Sequence, residues 1–406
     1  MLRVTDIYAV FIVSIFISTF LGYIFNMGAI AYGPIIIMMF IVFVIEVRMK
    51  TKLKATDWVC VLLFFNYTII STLYYVLKPF NGKFLTTHFL VILVLPFLIL
   101  SIIRLYYYSK DFNAVKFKYN LIILFLIAEV FICLGQFATY TFGIGLPISE
   151  EYGAFFAITG TFTNPNDLAC VVLLIAYLFI GIEANFTLWK KRLIWGSALL
   201  LLLLTGSRSA LILGFLFFIF SRGYNLKNII YVGMVCLLLA FSYNYFSTAS
   251  DGVLGRVISR VDSIYLVLTG GLSKDGSMSI RLDSYFHFFE NFDSLRIGSG
   301  EIGDDFLFAK GAEFNPALMF QNPHSIIVEL GYWIGWFGLF LFSIAFIYLS
   351  KFSNRKISVL ILSMVSTVIS SSVLGNLIFF LFFTLTFFDT KKQSISIHNS
   401  KSKLGK

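Results

Sequence analysis

The sequence predicts an all-α polytopic membrane protein of about twelve transmembrane helices, with one large loop on the outer side. Three observations predict it. First, 59% of the 406 residues are apolar and 13% are charged, whereas soluble proteins run at about 45–50% and about 25%. Second, the apolar residues come in long blocks that fill most of the chain, not at amphipathic spacing. Third, Lys and Arg collect in alternate gaps between those blocks. A soluble enzyme, a disordered chain and a disulfide scaffold are all excluded.

A bilayer core of about 30 Å takes around 20 apolar residues of helix, because each span must satisfy its own backbone polar groups. The blocks give spans at roughly 7–24, 29–45, 58–77, 87–103, 119–140, 167–182, 189–204, 208–221, 229–246, 325–349, 357–372 and 374–388. The residues before the first block are too few for the charged region of a cleaved signal, so that block is expected to be a retained first span. Cys60, Cys133, Cys170 and Cys236 all lie inside apolar runs, where they read as small packing residues.

Sidedness follows from the basic residues. Of 31 Lys and Arg, 22 fall on the side that holds both termini and nine on the other. Both termini are therefore expected in the cytoplasm. The basic excess reads as loop placement, and no nucleic-acid partner is expected. The predicted organisation is spans one to nine over 1–246, a large outer loop over 247–324, spans ten to twelve over 325–388, and a basic tail over 389–406. The 78-residue loop carries six basic and ten acidic residues, and a loop of that length is functional or disordered. Within it, Leu282, Tyr285, Phe286, Phe289 and Phe292 share one helical face, which predicts a helix lying on the membrane or against the bundle.

The segment Thr205-Gly206-Ser207-Arg208 interrupts two apolar arms, Leu193–Leu204 and Ser209–Phe220, of 12 residues each. Each arm is about 18 Å long, too short to cross alone. One continuous 28-residue helix would invert every later span and export the lysine-rich tail. The reading is a short hairpin whose turn lies below the outer surface and holds Arg208 at partial membrane depth. The alternative is an arginine snorkelling to the head groups.

His324 closes the outer loop directly before a span, and an imidazole there suits proton transfer; taken alone it reads more often as a capping or packing residue. Arg281 opens the amphipathic segment and is ordinary by itself. Glu129 and Glu329 are carboxylates inside spans, with structural partnering weighed against proton or substrate handling. Gly298-Ser299-Gly300-Glu301-Ile302-Gly303 satisfies GxGxxG, yet no strand precedes it, so a turn is expected there. Asp304-Asp305 lacks the further ligands a metal site needs.

His324-Ser325, then nine residues, then Gly335-Trp336-Phe337-Gly338, resembles the signature of the O-antigen polymerase and O-antigen ligase superfamily. The Thr205-Gly206-Ser207-Arg208-Ser209-Ala210 turn is similar to that family's Ser-Arg turn. Thr163-Asn164-Pro165-Asn166-Asp167-Leu168-Ala169 resembles its loop into the middle spans. Arg281 with Gly298-Ser299-Gly300 resembles its second arginine and glycine turn. The likeness covers about 155–345 in the right order, and the first five spans carry none of it.

The resemblance implies a GT-C-type glycosyltransferase working at the periplasmic face of a bacterial inner membrane. Its donor is a glycan on undecaprenyl diphosphate. Arg208 and Arg281 would grip the diphosphate, whose charge guanidinium forks match. His324 would orient or deprotonate the acceptor hydroxyl, or help hold the phosphate. Asn164, Asn166 and Glu329 join as substrate-binding positions. No metal is implied where arginines supply the charge, and no cofactor, because the bond energy is stored in the glycosyl diphosphate. The partners implied are the lipid-linked oligosaccharide, the bilayer, and a chain-length regulator and flippase of the same pathway.

A polymerase would add the growing glycan to the next lipid-linked repeat unit; a ligase would move it to lipid A core. The motifs serve both. The 48 phenylalanines and low charge resemble chains encoded with surface polysaccharides, which tilts the reading to polymerase. A secondary transporter or flippase is the competing class, but it should show internal repeats and paired broken helices, and one broken hairpin is visible. A structural assembly subunit is a third option.

Overall fold

The computed structural model describes residues 3–25, 28–49, 52–77, 86–110, 112–148, 157–162, 164–207, 210, 213–214, 285–286, 288–290, 325–369 and 376–388. Among these residues the regular structure is all helical. The main helices are α1 (Val4–Phe25), α2 (Gly33–Arg48), α3 (Ala55–Leu77), α4 (Thr86–Ile103), α5 (Ala114–Phe142), α6 (Pro165–Ile180), α7 (Leu188–Thr205), α8 (Ile326–Leu349), α9 (Lys356–Ile369) and α10 (Leu377–Leu385). Six stretches among them are long and apolar enough to cross a membrane. The expected spans at 208–221 and 229–246 fall outside the described residues, apart from 210, 213 and 214.

One expected span, that of α10, is shorter than predicted, and α9 is described over 14 residues. α10 has nine residues, a length of about 14 Å. Every residue of α10 is buried, so it is a core helix enclosed by the others. Its phenylalanines explain how a bundle in lipid packs without a water-driven core: Phe382 meets Phe125 edge-on at 5.2 Å, and Phe383 meets Phe346 at 4.8 Å. α6 is buried on all sides from Leu168 to Phe179. The outer helices face the other way. Ile36, Ile37, Phe40, Phe43 and Val47 of α2 are exposed, an apolar face suited to acyl chains and a liability in water.

Helix ends rich in Lys and Arg gather at one end of the bundle, here the basic end. Glu46 near the end of α2 takes the Arg104 guanidinium in two bonds of 2.7 and 2.6 Å, and the Tyr8 hydroxyl donates to it at 2.5 Å. Arg104 opens a single π turn, Arg104–Tyr108, that extends α4. From that turn the Tyr108 hydroxyl donates to Asp57 of α3 at 2.9 Å, and Lys351, just past α8, lies 3.3 Å from the same carboxylate. The Lys118 ammonium near the start of α5 donates to the Phe388 carbonyl after α10. Arg355, before α9, sits over the Tyr177 ring near the end of α6 at 4.6 Å. These links join α1, α2, α3, α4, α5, α6, α8, α9 and α10 at one level, the pairing of ends that alternating spans require. Cys60, Cys133 and Cys170 are buried free thiols.

Candidate functional site

The end opposite the basic residues is built by the start of α6, the end of α7 and the start of α8. α7 is 18 residues long, not the 12 of its apolar arm, because it includes Trp189, Lys190, Lys191 and Arg192 in its first turns. That is the span expected at 189–204, about 27 Å long with its basic first turns. The helix stops at Gly206, whose left-handed φ of 62° breaks the ladder while its N–H bonds the Leu203 carbonyl at 3.1 Å. The chain then returns along α7: a methyl group added at Gly214 would lie 2.5 Å from Leu202 Cδ1 and 3.7 Å from Leu173 Cδ2. In one straight helix residues 202 and 214 would be about 18 Å apart. The break is therefore a hairpin, as predicted.

Its depth follows from contacts at the basic end. Lys190 of α7 lies 5.3 Å over the Tyr119 ring of α5, and Tyr119 stacks on Phe186, which in turn stacks on Phe179 of α6. Counting equal rises from that shared level, α7 ends and α6 begins about 12 Å short of the far end of α5. Both ends are recessed. Ser207, in the recessed turn, is buried and its hydroxyl has no hydrogen-bond partner among the described residues.

The start of α6 is fixed by its sequence. Asn164 caps it, its side chain accepting the Asn166 N–H at 2.8 Å, and Pro165 takes the first helical position, where no N–H is needed. Asn164 and Asp167 are buried; Asn166 is half-buried. The segment before it, 157–162, lies mostly inside the bundle. Ala157, Ile158, Thr159, Gly160 and Phe162 are buried because polar side chains of α5 satisfy their backbone. Gln136 Oε1 accepts the N–H groups of Thr159 and Gly160 at 3.0 Å each, its Nε2 donates to the Gly160 carbonyl at 2.9 Å, and Glu129 accepts the Thr161 N–H at 3.1 Å and the Thr161 hydroxyl.

The start of α8 carries the other half of the site. Ser325 is fully buried and its hydroxyl pairs with that of Tyr285 at 2.7 Å. Three residues on, Phe288 presses on Gly331: a methyl there would meet its ring at 2.3 Å. The face predicted for this amphipathic segment needs correction. Tyr285 and Phe288 turn toward α8, whereas Phe286 and Phe289 are 63% and 60% exposed. α8 itself is broken at Gly335, with φ 69° and ψ 174°, a conformation open essentially to glycine alone. The membrane-length stretch starts at that break and runs Gly335–Phe352, later than the span predicted from 325.

Arg208, Arg281 and His324 lie outside the described residues, as do Cys236, the Gly298–Gly303 turn and Asp304-Asp305. The backbone of Glu329 lies in α8 and its side chain is outside the description. Among the described residues no group of three or more His, Cys, Asp or Glu is placed to hold a metal ion. Sequence reading singled out Glu129, placed Tyr285 on an amphipathic face without its partner, and missed Gln136. Gln136 was findable, as an amide two helical turns from Glu129 in an otherwise apolar span. The partner of Tyr285 was not, because it is 40 positions away.

The recessed hairpin, the segment docked on α8 and the glycine break that follows all fall within one stretch that a family model matches: O-antigen ligase, residues 193–343. That stretch is similar to the O-antigen ligase family. Recognition of the O-antigen polymerase and ligase superfamily from its motifs is borne out there. No curated protein and no solved structure matches the chain. The O-antigen ligase family match implies a glycosyltransferase-like enzyme acting on lipid-linked glycans, in keeping with the apolar helices.

Proposed function

We propose that the protein is a surface-polysaccharide polymerase. It transfers a glycan from undecaprenyl diphosphate to a lipid-linked repeat unit at the periplasmic face of a bacterial inner membrane, without metal or cofactor. The observation that carries this is the Tyr285–Ser325 contact inside the family-matched stretch. Ser325 is bonded in the chain to His324, and Tyr285 follows Arg281 by four residues, which chain geometry limits to about 14 Å. Arg208 follows Ser207 of the recessed turn. This connectivity supports a reading in which the three groups meet on one side of the bundle. Twelve spans and cytoplasmic termini complete the reading.

In the reaction, the bond between the donor's anomeric carbon and its phosphate oxygen breaks while the acceptor hydroxyl oxygen bonds that carbon. Arg208 and Arg281 hold the departing diphosphate as its charge builds, and His324 receives the acceptor proton. Asn164, Asn166 and Glu329 bind glycan or phosphate nearby. Asn164 uses its side-chain oxygen to cap α6, which fixes its place at the start of that helix.

The second reading is a ligase that delivers the glycan to lipid A core. It is favoured by the description of the matching family, O-antigen ligase. A knockout with surface-glycan electrophoresis decides. One repeat unit on the core is expected and means polymerase; full-length glycan stranded on the lipid carrier means ligase; an unchanged pattern overturns both.

A further inference from the structure

α5 carries Glu129, Gln136 and Tyr140 on one stripe, and each holds the same incoming segment. The Tyr140 hydroxyl donates to the Ala157 carbonyl at 3.0 Å, Gln136 holds Thr159 and Gly160, and Glu129 holds Thr161. From Tyr140 to Glu129 is about 16 Å along the helix. Residues 157–161, run out in extended form, span about 13 Å. The segment therefore descends along α5 from near the far end to the helix midpoint. Glu129 and Gln136 are both fully buried, and ionisable side chains at that depth are rare and costly. What they achieve is irregular backbone inside the bundle, which a membrane tolerates only where protein satisfies it.

Several details show a built fit. Gly160 has φ 63°, and a methyl there would stand 2.1 Å from Glu129 Oε2, so the carboxylate occupies the space a side chain would take. Thr161 presents two donors, its N–H and its hydroxyl, to the two oxygens of the Glu129 carboxyl group. Gln136 also donates to the Tyr23 hydroxyl at 2.7 Å, and that hydroxyl donates to the Pro147 carbonyl at 2.5 Å, which ties the same junction to α1. Four residues beyond Thr161 the chain begins α6, at the level of the Gly206 turn.

We propose that Glu129 is a positioning residue of the transfer site: its bonds to Thr161 set the depth at which Asn164 and Asn166 meet the hairpin turn that leads into Arg208. The proposal rests on the glycan-transfer reading above. Glu129 transfers no proton. It acts through Thr161 and, next to it, Gln136 through Gly160.

The test uses full-length protein in liposomes with a polyprenyl-diphosphate-linked oligosaccharide. E129A raises KM for the donor about tenfold, the scale of losing one or two buried hydrogen bonds, with a smaller fall in kcat. E129Q, whose amide can still pair with both Thr161 groups, stays within about threefold of the wild type. T161V, a milder change, moves KM in the same direction. A second arm needs no activity: on an N166C/C236S background, E129A speeds labelling by a membrane-impermeant maleimide about tenfold as the segment rises. E129Q as inactive as E129A would overturn the proposal in favour of proton chemistry. Unchanged KM and labelling in E129A would overturn it outright. A wild-type protein without transfer activity brings down the glycan reading instead, and the labelling arm still decides the positioning claim.

Discussion

The hydroxyl of Tyr285 lies 2.7 Å from that of Ser325, a bond that joins the large loop to the residue after His324. Replacing Tyr285 with Phe removes it and leaves the ring's packing. One such bond is worth about 1 kcal/mol. Transfer is expected to fall about fivefold with membrane levels intact, measured as polymer formed per milligram of purified protein. A rate equal to wild type would detach this contact from the site.

Gly335 breaks α8 with a backbone conformation that a side chain opposes. Gly335→Ala is expected to cost about 1–3 kcal/mol and to lower the melting temperature in detergent. Straightening α8 there would also swing Ser325 away from Tyr285, so activity should fall further than stability. A melting curve superimposable on wild type would show that the break carries no strain.

Arg208→Ala and Arg281→Ala are each expected to abolish long polysaccharide while leaving membrane levels unchanged. Lysine at either position keeps charge but loses the planar fork, and should restore only part of the ladder. A chelator should leave the purified protein's rate unchanged. Activity lost to chelation and regained with Mg²⁺ would contradict the metal-free proposal.

At the basic end, Arg104 and Glu46 form a bidentate pair with side chains only 3% and 8% exposed. Arg104→Ala strands a carboxylate and should destabilise by about 3–5 kcal/mol. Removing Glu46 as well should recover part of the loss, because no unpaired charge is left behind. A double-mutant cycle on thermal unfolding measures this, and simple additivity would argue against coupling.

Parts of the fold around the candidate site were legible residue by residue. The turn at Thr205-Gly206-Ser207-Arg208 could be read because a polar break in an apolar block has few structural solutions. The glycine of Gly335-Trp336-Phe337-Gly338 could be matched, and the structure supplies its reason, a helix break. The burial of residues 157–162 was not legible. Their partners are Glu129 and Gln136, more than twenty positions upstream, and nothing local distinguishes a loop in water from one satisfied by a neighbouring helix.

The sequence by itself determined that the chain is helical and built for a bilayer, because apolar length and backbone self-satisfaction are local properties. It also determined which helix ends share a side, since charge placement alternates with each crossing. Only the tertiary structure decided depth. That α6 starts and α7 stops short of the far end of α5, that α10 is enclosed by other helices, and that Tyr285 reaches Ser325 all depend on side chains from distant elements meeting. Hydropathy cannot distinguish lipid from protein as the apolar neighbour, and so the interior of this bundle had to be seen in three dimensions.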